Sequence, residues 1–174
     1  MARKKRPVRL SKKVYCFIVE GCTEENYIRL LKRVYRKSGD IENTTGGNAK
    51  GVLRAAKRFI AKNQDYYSGY VVWFDKDRYF PSSDVNEKDS LEAKKNVKIF
   101  MSEPCVENWL LAHFQSKKSG NATCDLCEQA LCKYIPHYKK NKCELLDRHI
   151  DKDKIATAIL NYPEIGEIPK TYFI

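Results

Sequence analysis

Two carboxylates, Asp75 and Asp77, close the run Tyr70-Val71-Val72-Trp73-Phe74-Asp75-Lys76-Asp77. The β-branched and aromatic residues ahead of them predict a buried strand. Side chains alternate on an extended chain, so this reading points Asp75 and Asp77 the same way and Lys76 away from both. Two like charges a few ångströms apart repel by about 4 kcal/mol at an effective dielectric near 20. A pair at the end of an apolar strand therefore calls for a compensating cation, and Mg²⁺ or Mn²⁺ suits oxygen ligands of this kind. Two exposed turn acids after a core strand would leave the same trace, so the pair alone does not decide.

The elements around the pair supply more acids. A second apolar run, Val14 to Val19, predicts another buried strand and stops at Glu20. Thr23 is the expected N-cap of a helix reaching about Lys37, with Glu24 and Glu25 in its first turn, where carboxylates suit the helix dipole. A short strand over Ile41 to Thr44, the turn Thr45-Gly46-Gly47 and a helix from Asn48 to about Asn63 come next. The glycine pair is not a phosphate loop of the Walker type, since no Gly-Lys-Ser/Thr follows it. Past Asp77, Pro81 to Asp84 is expected to break regular structure ahead of a helix at about 85–95. The strand Val97 to Met101 again runs into acids, at Glu103 and, one turn into an apolar helix reaching about Gln115, at Glu107. The last expected helix spans about 151–160.

Strands alternating with helices predict βαβ units, hence an α/β fold with a mostly parallel four-stranded sheet flanked by helices. Right-handed crossovers put all strand carboxyl ends on one edge, where such sheets bind ligands. Three of the four strands deliver acids there: Glu20, the pair Asp75 and Asp77, and Glu103 or Glu107. The expected organisation is a basic arm at 1–13, a catalytic domain at 14–116 and a helical extension at 117–174 packed on the same domain.

Composition narrows the setting. An apolar share of 43% with 32% charged residues describes a soluble globular protein. No apolar run approaches the roughly 20 residues of a membrane helix. Neither a hydrophobic signal core nor a cleavage site follows the basic start, and seven cysteines, an odd number, suit reduced thiols in the cytoplasm. Residues 1–13 hold seven basic side chains and no acid, which leaves only +4 of the net +11 for the rest. Such an arm fits either a polyanion partner or a solubilising tail. The stripe Arg29, Lys32, Arg33, Arg36 and Lys37 fits either a phosphate backbone or the wet side of an amphipathic helix.

Three blocks together resemble the RloB-like proteins: Val19-Glu20-Gly21-x-Thr23-Glu24-x-x-Tyr27, Val72 to Asp77, and Glu103-Pro104-Cys105-Val106-Glu107-Asn108-Trp109 to Phe114. These proteins form a branch of the Toprim superfamily found with prokaryotic restriction and abortive-infection loci. The resemblance covers about residues 14–160 and implies a Toprim-like, Rossmann-like sheet. It implies Mg²⁺ ligands at Glu20, Asp75 and Asp77, with further acids at Glu24 and at Glu107, which lies in the matched block where Glu103 does not. It also implies phosphodiester cleavage, often held in check by an ABC-type ATPase partner. RloB-like chains usually continue into a longer C-terminal segment, and partner docking through such a tail is not carried over.

The expected chemistry is therefore Mg²⁺- or Mn²⁺-dependent hydrolysis of RNA, tRNA included, or DNA, in antiviral defence. Arg78, just past the pair, and Lys50 are candidates for steadying phosphate. Lys139, Lys140 and Lys142, interleaved with Tyr134, His137 and Tyr138, fit single-stranded nucleic acid or an ordinary wet helix end. Cys124, Cys127, Cys132, His137 and Cys143 lack the second close pair of a structural zinc site, and the cysteines are read as small core residues. His113 is read as a core histidine, not a general base. A catalytically silent nucleic-acid-binding subunit and a primase-like nucleotidyl transferase are the competing readings, and a homo-oligomer is left open.

Overall fold

The computed structural model describes residues 14–116, 118–140 and 146–174. The basic arm, Lys142 and Cys143 lie outside them. Four parallel strands form one sheet in the order β2-β1-β3-β4, where β1 is Tyr15–Val19, β2 Asp40–Asn43, β3 Gly69–Asp75 and β4 Val97–Ser102. β3 sits between two neighbours and every one of its residues is buried. That is why its sequence is continuously apolar and not alternating. Helices cover both faces, and the parallel alternation anticipated above is the observed architecture.

One face carries α2 (Ala49–Lys62) and α3 (Pro81–Glu92) over Cys16, Ile18, Tyr70, Val72 and Phe74. The other carries α1 (Cys22–Tyr35), α4 (Val106–Leu111), α5 (Cys124–Leu131), α6 (Leu146–His149), α7 (Lys152–Asn161) and α8 (Pro163–Tyr172). Its core joins Phe17, Val19, Tyr27, Trp73 and Trp109 to Cys127, Ile135, Ile155, Tyr162 and Phe173. Residues beyond 117 thus share a core with the sheet. Gly166 permits the tight α7–α8 crossing, since a Cβ there would lie 2.8 Å from the backbone of Ile159. Among the described residues no helix is long and apolar enough to cross a membrane.

Three local expectations change. Thr23 is not the N-cap of α1; Gly21 is, and Thr23 is buried as the second helical residue, with its hydroxyl directed to a distant carbonyl. Pro81 to Asp84 does not break the chain but begins α3. Pro81 takes the first helical position, where its missing N–H costs nothing, and Asp84 Oδ2 reaches back to accept the Phe80 N–H at 2.8 Å. The Asp-x-Asp run is not extended throughout: pairing with β4 stops at Asp75, and Lys76–Arg78 turns into a 3₁₀ helix. Asp77 therefore leaves the plane in which alternation would have placed it, held by its N–H to the Pro104 carbonyl at 3.1 Å.

Candidate metal centre at the carboxyl edge of the sheet

Glu20 leaves the end of β1, Asp75 ends β3, and Glu24 sits in the first turn of α1. One carboxylate oxygen from each lies within 4.8 Å of the others. The strand ends converge because β1 and β3 are paired in register, with Val19 opposite Trp73, so both chains run out at the same level. Glu20 is fixed by the backbone, since its Oε2 accepts the Asp75 N–H at 3.0 Å. Asp75 Oδ1 accepts the Val106 N–H at 2.8 Å, and Oδ2 accepts Lys140 Nζ at 2.9 Å.

Burial gives this cluster its character. Glu24 and Asp75 are 2% and 1% exposed, and Glu20 is half-buried. Desolvation pushes the Glu20 carboxyl above its ordinary range, and the nearby Asp77 charge adds to this. Burial lifts Glu24 well above its usual value, with the Asp75 charge next in size. Asp75 is pushed up to about 7 by burial, while Lys140 pulls it back. Burial opposes the charge on Lys140, but Asp75 and Glu107 outweigh it and hold the ammonium well above its usual value. Three packed acids sharing one lysine form a set of hard oxygen donors that ionise fully only with more positive charge beside them, which fits Mg²⁺ or Mn²⁺.

A cavity of about 400 Å³ opens over the cluster, lined also by Asp77, Arg78, Lys140 and the Thr45-Gly46-Gly47 turn. Thr45, Gly46 and Gly47 all have positive φ, at 63°, 81° and 129°, and Gly46 donates its N–H to the Glu20 carbonyl. The turn thereby holds the wall of the cavity against the end of β1. Its glycines supply a backbone that side-chain-bearing residues rarely adopt.

The other acids take different places. Asp77 is exposed, lines the cavity outside the three-acid group, and accepts Cys124 Sγ at 3.5 Å. Glu107 is buried behind Lys140, its Oε2 3.7 Å from Nζ and its Oε1 accepting the Tyr138 hydroxyl at 2.9 Å. Glu103 pairs with Lys76 on the surface at 2.7 Å.

Of the basic candidates, Arg78 and Lys140 line the cavity and Lys50 does not; Lys50 lies near Asp84, whose carboxyl is held down against burial by the Ser83 hydroxyl and the Phe80 N–H and then by the Lys50 charge. Lys139 is exposed on a separate groove with Asp125 and Glu128. Tyr138 is no stacking platform: it is buried and spends its hydroxyl on Glu107. Tyr134 stacks on Phe114 at 5.1 Å. His113 is a core residue, 2% exposed, hydrogen-bonded to the Tyr27 hydroxyl and pushed down to about 4 by burial. Cys127 is buried in the core as expected of a small apolar residue, whereas Cys124 is half-exposed and Cys132 is on the surface.

Sequence reasoning overlooked how Lys140 reaches the acids and how its segment is held. Its carbonyl accepts Cys22 Sγ at 3.2 Å and Thr23 Oγ1 at 3.3 Å. The only trace in the sequence is a threonine beside Glu24 and a tyrosine two residues before Lys140, and neither is distinctive without coordinates.

No curated protein and no solved structure matches the chain. A family model described as RloB-like protein matches residues 15–167. That span contains both strand ends, the first turn of α1, the Glu107 helix and Lys140, and the chain belongs to the RloB-like protein family.

Proposed function

We propose that this chain is a metal-dependent nuclease of Toprim type that hydrolyses phosphodiester bonds in RNA or DNA. The observation that carries the reading is the meeting of Glu20, Glu24 and Asp75 within 4.8 Å, at the edge of a parallel sheet where such folds bind ligands. A bound Mg²⁺ or Mn²⁺ would supply an activated water and stabilise charge on a phosphoryl oxygen. The chain's own contribution is preorganisation. The Val106 N–H and Lys140 hold Asp75, the Asp75 N–H holds Glu20, and none of these ligands has to move when substrate arrives. Arg78 and Lys140 put positive charge on the cavity wall beside the acids, where it would draw in and seat a polyanion.

Membership of the RloB-like family fits a role in defence, and an ABC-type ATPase that restrains the nuclease is the partner this reading implies. The test is incubation of wild type and Asp75→Ala with total cellular RNA and with plasmid, in Mg²⁺, in Mn²⁺ and in chelator, with and without a co-expressed ATPase. Cleavage that needs the metal and Asp75 supports the proposal. Binding that survives Asp75→Ala with no cleavage under any condition would replace it with a silent nucleic-acid-binding subunit. Incorporation of labelled nucleotide would replace it with a nucleotidyl transferase.

A further inference from the structure

We infer that Lys140 is the built-in second cation of this centre. It stands beside Asp75 and Glu107 where a second divalent ion would sit, so the acids hold one ion, and the ammonium meets the substrate phosphate. For its substrate this inference rests on the nuclease reading above; for its metal count it does not.

The geometry of Asp75 carries the inference. Two-metal phosphoryl-transfer sites place their ions about 3.5–4 Å apart, and a carboxylate that bridges them gives one oxygen to each. Asp75 has one oxygen on the Val106 N–H at 2.8 Å and the other on Lys140 Nζ at 2.9 Å. Glu20 and Glu24 each bring an oxygen within 4.8 Å of one of Asp75, and the ammonium on Asp75 Oδ2 lies 3.7 Å from Glu107 Oε2.

Glu107 supplies an independent reason. It is 1% exposed, and among the described residues its Oε2 accepts no hydrogen bond. A buried carboxylate oxygen in that condition needs a nearby positive charge, and the cation facing it is Lys140 at 3.7 Å. A divalent ion could meet the same need, which is why this position reads as that of a cation.

The lysine is also positioned, not loosely draped. Its carbonyl is held by Cys22 and Thr23, next to Glu24, so backbone and acid ride on one turn of α1. Its side chain is still 44% exposed and lines the cavity.

The experiment is calorimetric titration of the full chain with Mn²⁺ alone, for wild type, Lys140→Met, Lys140→Gln and Lys140→Arg, paired with single-turnover cleavage at saturating Mn²⁺. Wild type and Lys140→Arg are expected to bind one ion per chain. Lys140→Met or Lys140→Gln, whichever neutral variant folds, is expected to take a second ion or to bind the first at least tenfold more tightly, while cleaving about 10²–10³-fold more slowly. Two ions in wild type would overturn the inference even if neither neutral variant folds. A neutral variant with the wild-type count and affinity would overturn it as well, and undiminished cleavage would overturn the phosphate contact. If the metal results come out as expected but wild type cleaves nothing, the nuclease reading falls and the cation assignment stands.

Discussion

Tyr138 donates its hydroxyl to Oε1 of Glu107 at 2.9 Å, and both residues are buried. The bond ties the segment after α5 to the first turn of α4 and satisfies one oxygen of a carboxylate whose other oxygen accepts none among the described residues.

Tyr138→Phe keeps the ring and removes the donor, so Glu107 is left buried with neither oxygen hydrogen-bonded by that segment. The expected loss is about 1–3 kcal/mol, the usual cost of orphaning a buried polar group. Urea denaturation checks it: the midpoint should fall with the slope unchanged. An unmoved midpoint would mean that water replaces the hydroxyl and that the bond contributes little.

The three acids, all lifted by burial, oppose folding when no metal is present. Glu24 is fully buried and lifted by desolvation and then by Asp75. Glu24→Gln should therefore raise the melting temperature of the protein in chelator. The same change should abolish the stabilisation that millimolar Mn²⁺ gives to wild type, because a ligand is lost. Asp77→Asn, outside the group, should keep most of that Mn²⁺ shift. Thermal melts with and without Mn²⁺ measure both, and equal loss in the two variants would put Asp77 back among the ligands.

Two buried groups should pull the pH dependence of stability in opposite directions. His113 is held neutral, pushed from 6.5 down to about 4 by burial. Its contribution is complete above pH 6.5 and is lost as pH falls through 4, because the unfolded chain binds the proton first. Asp75 is pushed up to about 7 by burial, so its contribution is complete below the unfolded value near 3.8 and is lost as pH rises through 7. In chelator, the stability of wild type minus that of His113→Asn should grow by about 3 kcal/mol between pH 4 and 6.5. The same difference taken against Asp75→Asn should shrink as pH rises from 4 to 7. Denaturant titrations at four pH values give both curves, and parallel trends would show that one of the two groups is solvated.

The alternation of apolar runs and amphipathic helices determined, before any coordinates, that the sheet is parallel and that the acids at strand ends share one edge. Glu20 and Asp75 follow from that, because each stands where a buried strand stops and parallel register brings the stops together. Cys127 and His113 as core residues follow from the same local periodicity. Tertiary structure decided what lies across the chain from these elements. Asp77 departs from strand alternation because pairing with β4 ends at Asp75 opposite Ser102 and a 3₁₀ turn begins. Thr23 gives its hydroxyl to Lys140 because a segment more than a hundred residues away packs over it. Tyr138 turns inward for the same reason. α8 lies beyond the last helix the sequence led one to expect; its Pro163 takes the helix start, and Pro169 sits inside a helix packed closely on α7. Side-chain periodicity encodes which face is buried, but it carries no record of which distant group is buried against it. The lysine that completes the acid cluster could be placed only by the fold.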